Sequence, residues 1–142
     1  GRDSYIFTSS SGLEIQGLKE NAELLITPNF TFNAAQRGQG SDGFRDLYYE
    51  MGFEIEYGEA VLENLEIGPF FSYYYRDYLD YEPEGSTERD DQNFIIGLQA
   101  TAIDIIPDIL ILSSYSFERN KSNLVDETYR NHSITISFVY VF

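Results

Sequence analysis

Carboxylates are the side chains most available for chemistry here: 24 Asp and Glu stand against 9 Lys and Arg, for a formal charge of −15, with a single His132 and no Cys. Without thiols there is no disulfide framework, thiolate metal site or thiol nucleophile, and one imidazole supplies neither a His-rich metal site nor a base network. The acidic balance works against nucleic acid, whose phosphates are held by Lys and Arg. The run Asp77, Asp80, Glu82, Glu84, Glu88, Asp90 and Asp91 could offer hard oxygen ligands to Ca²⁺. It lacks the spaced Asp/Asn and glycine of a calcium loop and reads as a solvated loop. Gly38, Gly40 and Gly43 precede no helix, so they read as loop punctuation and not a phosphate cradle. Nothing in these patterns is read as catalytic, and no metal or cofactor is expected.

The second carboxylate group, Glu50, Glu54, Glu56 and Glu66, takes its meaning from the elements that carry it. Residues two apart share one face of a strand, and a period of two runs through most of the chain. Leu47, Tyr49, Met51, Phe53, Ile55 and Tyr57 form one parity against Tyr48, Glu50, Gly52, Glu54 and Glu56. Leu65 to Tyr75 and Phe94 to Ala102 repeat the pattern, placing Arg76 and Gln99 on the polar parity, and Leu24 to Phe32 and Ile109 to Phe117 follow with less contrast. The first segment, about Tyr5 to Ile15, is interrupted at Ser9 and Ser11. The last is the cleanest, with Ile134, Ile136, Phe138, Tyr140 and Phe142 opposed by Ser133, Thr135, Ser137, Val139 and Val141. Pro28 and Pro69 fall inside strands, where each deletes a ladder donor and predicts a bulge, an edge or a displaced boundary.

These are seven strands of about 11 residues, a length that crosses a bilayer when tilted by about 45°. Their connections alternate. Leu18 to Asn21, Gly58 to Asn64 and Asp104 to Asp108 are compact, whereas Ala34 to Arg45, Leu79 to Gln92 and Asn120 to Asn131 are long and polar. That is a meander with short turns at one rim and long loops at the other. No run of about 18 apolar residues predicts a membrane helix. The opening GRDSYIF lacks the basic and apolar regions of a signal peptide, which reads as a mature or trimmed chain.

The C-terminal segment HSITISFVYVF resembles the terminal assembly signal of Gram-negative outer-membrane β-barrels, with an aromatic last residue, Phe142, and aromatic or apolar residues at Tyr140, Phe138, Ile136 and Ile134. More loosely, Ser72 to Phe142, with YYYRDY, SYSFERNKSN and YRNH, resembles the last strands of exopolysaccharide-export or tetratricopeptide-linked outer-membrane barrels. The resemblance implies an all-β antiparallel meander transmembrane barrel in the bacterial outer membrane, with lipid, lipopolysaccharide and the barrel-assembly machinery as partners. The chain departs from the family in having no Trp, so Tyr and Phe would form the interfacial girdles alone.

In such a barrel Glu50, Glu54, Glu56, Glu66, Arg76 and Gln99 face the lumen, where the acids either favour cations or are solvated and paired with arginines such as Arg76. Arg37, Arg45, Arg89, Arg119, Lys121 and Arg130 gather at the long-loop ends, where they could meet lipopolysaccharide phosphates or pair with loop acids. Three functions stay open: the wall of a polar pore or export conduit; a small non-conducting anchor or adhesin plugged by Phe70, Tyr74, Leu110 and Leu112; or a soluble barrel with the Tyr/Phe face inside around an apolar ligand. Counting back from Phe142, the first strand starts at the long-loop rim, one strand short of the even number that family barrels have. The expectation is a C-terminal portion of a larger barrel, completed by a further segment or second chain.

Overall fold

The computed structural model describes residues 4–35, 48–79 and 89–140. Among the expectations above, those on Arg37, Gly38, Gly40, Gly43, Arg45, Leu47, Asp80, Glu82, Glu84, Glu88 and Phe142 lie outside the described residues. The chain forms β1 (Ser4–Ser10), β2 (Leu13–Lys19), β3 (Ala22–Ala35), β4 (Tyr48–Leu62), β5 (Leu65–Tyr78), β6 (Asp90–Ile106), β7 (Ile109–Ser122) and β8 (Tyr129–Tyr140), with one 3₁₀ turn at Val125–Glu127. All pairings are antiparallel and follow chain order from β3 to β8, while β1 and β2 both pair with β3.

The register converts the period of two into two faces. Leu24, Ile26, Phe30 and Phe32 lie opposite Tyr57, Ile55, Met51 and Tyr49. The same face continues through Phe71, Ile96 and Phe117, and through Leu98, Tyr115 and Ile134. The other face carries Glu50 opposite Arg76, Glu54 opposite Ser72, Tyr74 opposite Asn93 and Gln99 opposite Ser114. Burial is inverted relative to a soluble domain: Ile96, Leu98 and Ile136 on the apolar face are 57%, 52% and 61% exposed, while Ser72, Asp91 and Asn120 on the polar face are 8%, 6% and 5% exposed. Side chains from five adjacent strands line one cleft on the polar face. With strands about 4.8 Å apart, a flat sheet would spread them over roughly 19 Å, so the sheet curls toward its polar side.

β1 and β2 are one line of chain with a break, and Pro28 accounts for it. Ser10 pairs with Asn29, Leu13 with Ile26, and Ser11 N–H donates to the Pro28 carbonyl at 3.4 Å. Pro28 therefore turns its missing donor toward this edge, and the ladder lapses where no N–H is available. Pro69 coincides with a second lapse, between the Glu56–Phe70 and Glu59–Ile67 pairs of β4 and β5. There the backbones approach so closely that a Cβ on Gly68 would run into the Tyr57 carbonyl.

All three short connections are tighter than expected. Lys19 pairs with Ala22, Leu62 with Leu65 and Ile106 with Ile109, which leaves two-residue turns at 20–21, 63–64 and 107–108. The segment from Gly58 to Leu62, expected as part of a turn, belongs to β4. In the last turn Pro107 fixes φ and Asp108 takes the left-handed conformation at φ 61°. Asp104, at φ 55°, sits in the register shift between Ala102 and Ile106. At the other rim, β7 continues to Ser122 and β8 begins at Tyr129, so the connection expected over Asn120 to Asn131 shortens to six residues.

The sheet is an open antiparallel meander and not a closed barrel, in keeping with the expectation that this segment does not close by itself. Among the described residues β8 pairs only with β7, and β1 and β2 only with β3. Both edges run from the long-loop rim to the short-turn rim, because Ser4 lies opposite Ala35 and Tyr140 opposite Ile109. Seven lines of antiparallel strand leave the two edges pointing the same way, so joining them would require a parallel pair.

Candidate functional site

The polar face gathers its ion pairs near the long-loop rim, where β4 to β8 contribute to a cleft of about 320 Å³. Arg76 on β5 and Glu50 on β4 are register partners, and the guanidinium donates to one Glu50 oxygen through Nε at 3.0 Å and Nη2 at 2.7 Å. Its Nη1 donates to the Tyr78 hydroxyl at 3.2 Å, and its plane lies 4.5 Å from the Tyr48 ring centre. Arg89 reaches into the same cleft just before β6. Its Nε and Nη2 donate to Asp91 at 3.1 and 2.6 Å, Nη2 also meets Glu127 at 3.1 Å, and the guanidinium lies 4.5 Å from the Tyr78 ring centre. Tyr78, among the few buried side chains of the described residues, thus sits beside both guanidiniums.

Deeper along the same face, Glu118 accepts from Asn93 Nδ2 at 2.6 Å and from the Tyr129 hydroxyl at 2.8 Å. Glu54 accepts from the Tyr74 hydroxyl. Aromatic rings fit on this side because their opposite residues are glycines: a Cβ on Gly52 would collide with Tyr74, and one on Gly97 with Phe70. The loop above is tied in by Asn120 Nδ2 donating to the Glu127 carbonyl at 2.9 Å, and by the reciprocal bonds of Asn123 with Asp90 at 3.1 and 3.0 Å. Toward the short-turn rim, Gln99, Thr101, Ser114, Thr135 and Ser137 surround a smaller, uncharged cleft of about 190 Å³, with Glu66 opposite Thr101 at its border.

The register places Glu50, Glu54, Glu56, Glu66, Arg76 and Gln99 on one face. It brings Glu50 and Arg76 together, whereas Glu54 lies opposite Ser72, and Glu66 and Gln99 lie nearer the short turns. Phe70, Tyr74, Leu110 and Leu112 share this face as well. Two loop acids do not follow the solvated reading: Asp91 is a buried partner of Arg89, and Asp77 accepts from the Tyr49 hydroxyl at 2.7 Å. Arg89 is turned into the cleft, whereas Arg119, Lys121 and Arg130 are exposed on the apolar parity. The Asp91–Arg89–Glu127 group and the Asn93–Glu118–Tyr129 group were not singled out from the sequence. The available signal was that Asp91, Asn93 and Glu118 continue the polar parity beyond the boundaries drawn from hydrophobicity.

On the opposite face Phe71, Phe53, Tyr73 and Phe94 form a chain of ring contacts and Tyr49 pairs with Tyr75, with centres 4.9 to 6.5 Å apart. Phe117 and Tyr115 on β7 meet His132 on β8, and the Tyr115 hydroxyl lies 2.9 Å from His132 Nδ1. This aromatic band occupies the long-loop half of the face. Ile67, Ala100, Ile111 and Ile136 lie nearer the short turns, where Tyr57, Phe138 and Tyr140 add further rings. Ile134, Ile136, Phe138 and Tyr140 are all exposed on this same face of the edge strand β8.

No known family, curated protein or solved structure matches the chain.

Proposed function

We propose that the chain is part of the wall of an outer-membrane β-barrel that forms a polar pore or export conduit, with its apolar face toward lipid and its polar face toward water. The inversion of burial supports this reading most directly: large aliphatic side chains are exposed on one face, while hydrogen-bonded charges and amides are enclosed on the other. In hydrocarbon every backbone donor and acceptor must be paired, so the two open edges would be completed by a further strand running antiparallel to both. A further segment of the same protein or a second chain would supply it. A soluble ligand-binding barrel would need the opposite curvature, with the Tyr/Phe face inside.

The conduit would prefer cations. Glu50, Asp91 and Glu118 line the cleft and Glu127 is ion-paired to Arg89, four carboxylates against the two guanidiniums of Arg76 and Arg89, and Glu118 is held by neutral donors. The test is single-channel recording in planar bilayers of the protein expressed from its complete reading frame. Discrete openings with a cation-selective reversal potential are expected, and Glu118→Gln should move that potential toward zero. A detergent-dependent protein that never conducts would favour the non-conducting anchor, and one that stays in solution without detergent would overturn the membrane reading.

A further inference from the structure

Among the described residues, three basic residues on the apolar parity have no acidic partner, in a chain of charge −15. Arg119 on β7 and Arg130 on β8 are direct register partners, and Lys121 lies two residues beyond Arg119 on the same face. All three are exposed, and among the described residues none forms an ion pair, although Lys19, Arg76 and Arg89 all do. The acids that follow on this face are Asp90, one step beyond the Gln92–Lys121 pair, and Asp77 opposite it, and neither is ion-paired with the three bases. Like charges directly opposite one another on adjacent strands repel. Two facing arginines with no carboxylate beside them among the described residues form a place prepared for an anion.

The surroundings define that anion. Arg119 pairs on its other side with Phe94, and one register step toward the short turns lie Ile96, Phe117 and His132, followed by Leu98, Tyr115 and Ile134. A basic cluster directly above a continuous exposed apolar surface fits a ligand with an anionic head and hydrocarbon chains. Paired guanidiniums favour phosphate, whose oxygens accept their forked donors, and Lys121 adds a compact charge. We propose that Arg119, Arg130 and Lys121 form a binding site for the phosphate-bearing headgroup of a membrane lipid, with its chains lying over Phe94 and Phe117. This inference rests on the membrane reading above.

The test uses the whole protein in mixed micelles. Phosphatidic acid is titrated against phosphatidylcholine, retained lipid is counted by native mass spectrometry, and thermal unfolding is followed in parallel. Wild type should retain phosphatidic acid at least tenfold better than phosphatidylcholine and be stabilised by it. The variant Arg119→Gln/Arg130→Gln should lose both effects, yet be no less stable in phosphatidylcholine alone because the repulsion is relieved. The control Lys19→Gln, at the short-turn rim, should keep the preference. A double variant that retains phosphatidic acid as wild type does would overturn the site, as would equal retention of the two lipids by wild type. Inorganic phosphate at equal concentration displacing the lipid completely would overturn the lipid assignment in favour of a soluble anion. Failure of the protein to enter micelles at all would count against the membrane reading, whereas entry without headgroup preference counts only against this site.

Discussion

Arg76 shows how single residues hold the polar face together. Its fork closes on one Glu50 oxygen and its plane rests on Tyr48, so shortening it removes donors and stacking while leaving a half-buried carboxylate unmatched. Arg76→Met should destabilise the protein by about 1–3 kcal/mol, and Arg76→Met/Glu50→Gln by less, because the second change removes the stranded charge. Reversible urea unfolding in lipid vesicles would measure both; a double variant weaker than the sum of the single changes would show that the pair is not coupled in this way. Faces differ at this scale too. Ile96→Arg, on the exposed apolar face, should cost about 2 to 4 kcal/mol if it lies near the bilayer midplane, whereas Gln99→Arg on the polar face should cost little. Equal costs would mean that lipid does not distinguish the two sides.

At the scale of elements, close approach of strands matters more than residue type. Gly68→Ala would drive a methyl group into the Tyr57 carbonyl where β4 and β5 crowd together, and should cost about 3 kcal/mol or more. Gly12→Ala, which meets the flexible end of Leu25 at 3.3 Å and the Thr27 hydroxyl at 3.7 Å, should be nearly neutral in the same unfolding assay. Deleting Phe142 should reduce membrane insertion far more than its apolar area explains, if the alternating end of β8 is read during assembly; normal heat-modifiable folding of the shortened chain would remove that role. The strands and their faces were legible in the sequence because the period of two survives from Leu24 to Tyr140. The break between β1 and β2 was not, since its cause, Pro28, lies on the partner strand. Gly58 and Glu59 have turn-like composition but continue β4, because the two-residue turn at 63–64 alone reverses the chain. Arg76 could be matched to Glu50 from parity. Arg89 could not be matched to Asp91 and Glu127, since that contact depends on where β6 starts and how the β7–β8 connection folds over the rim.

At the scale of the molecule, edge direction constrains assembly. Because β1 and β8 run the same way, copies of this sheet joined head to tail would meet through parallel pairs, and an antiparallel seal needs an odd number of added strands. Residues 1–142 alone should therefore fail to give a sealed, protease-resistant monomer in detergent, and native mass spectrometry would reveal one if it formed. The central claim is the direction of the two faces. The chain has no cysteine, so single cysteines placed from Phe94 to Ala102 along β6 can each carry one nitroxide or fluorophore in lipid vesicles. Labels at 94, 96, 98, 100 and 102 should respond to lipid-soluble quenchers, and those at 95, 97, 99 and 101 to water-soluble ones. An alternation of opposite phase, or no alternation at all, would contradict the assignment of the apolar face to lipid.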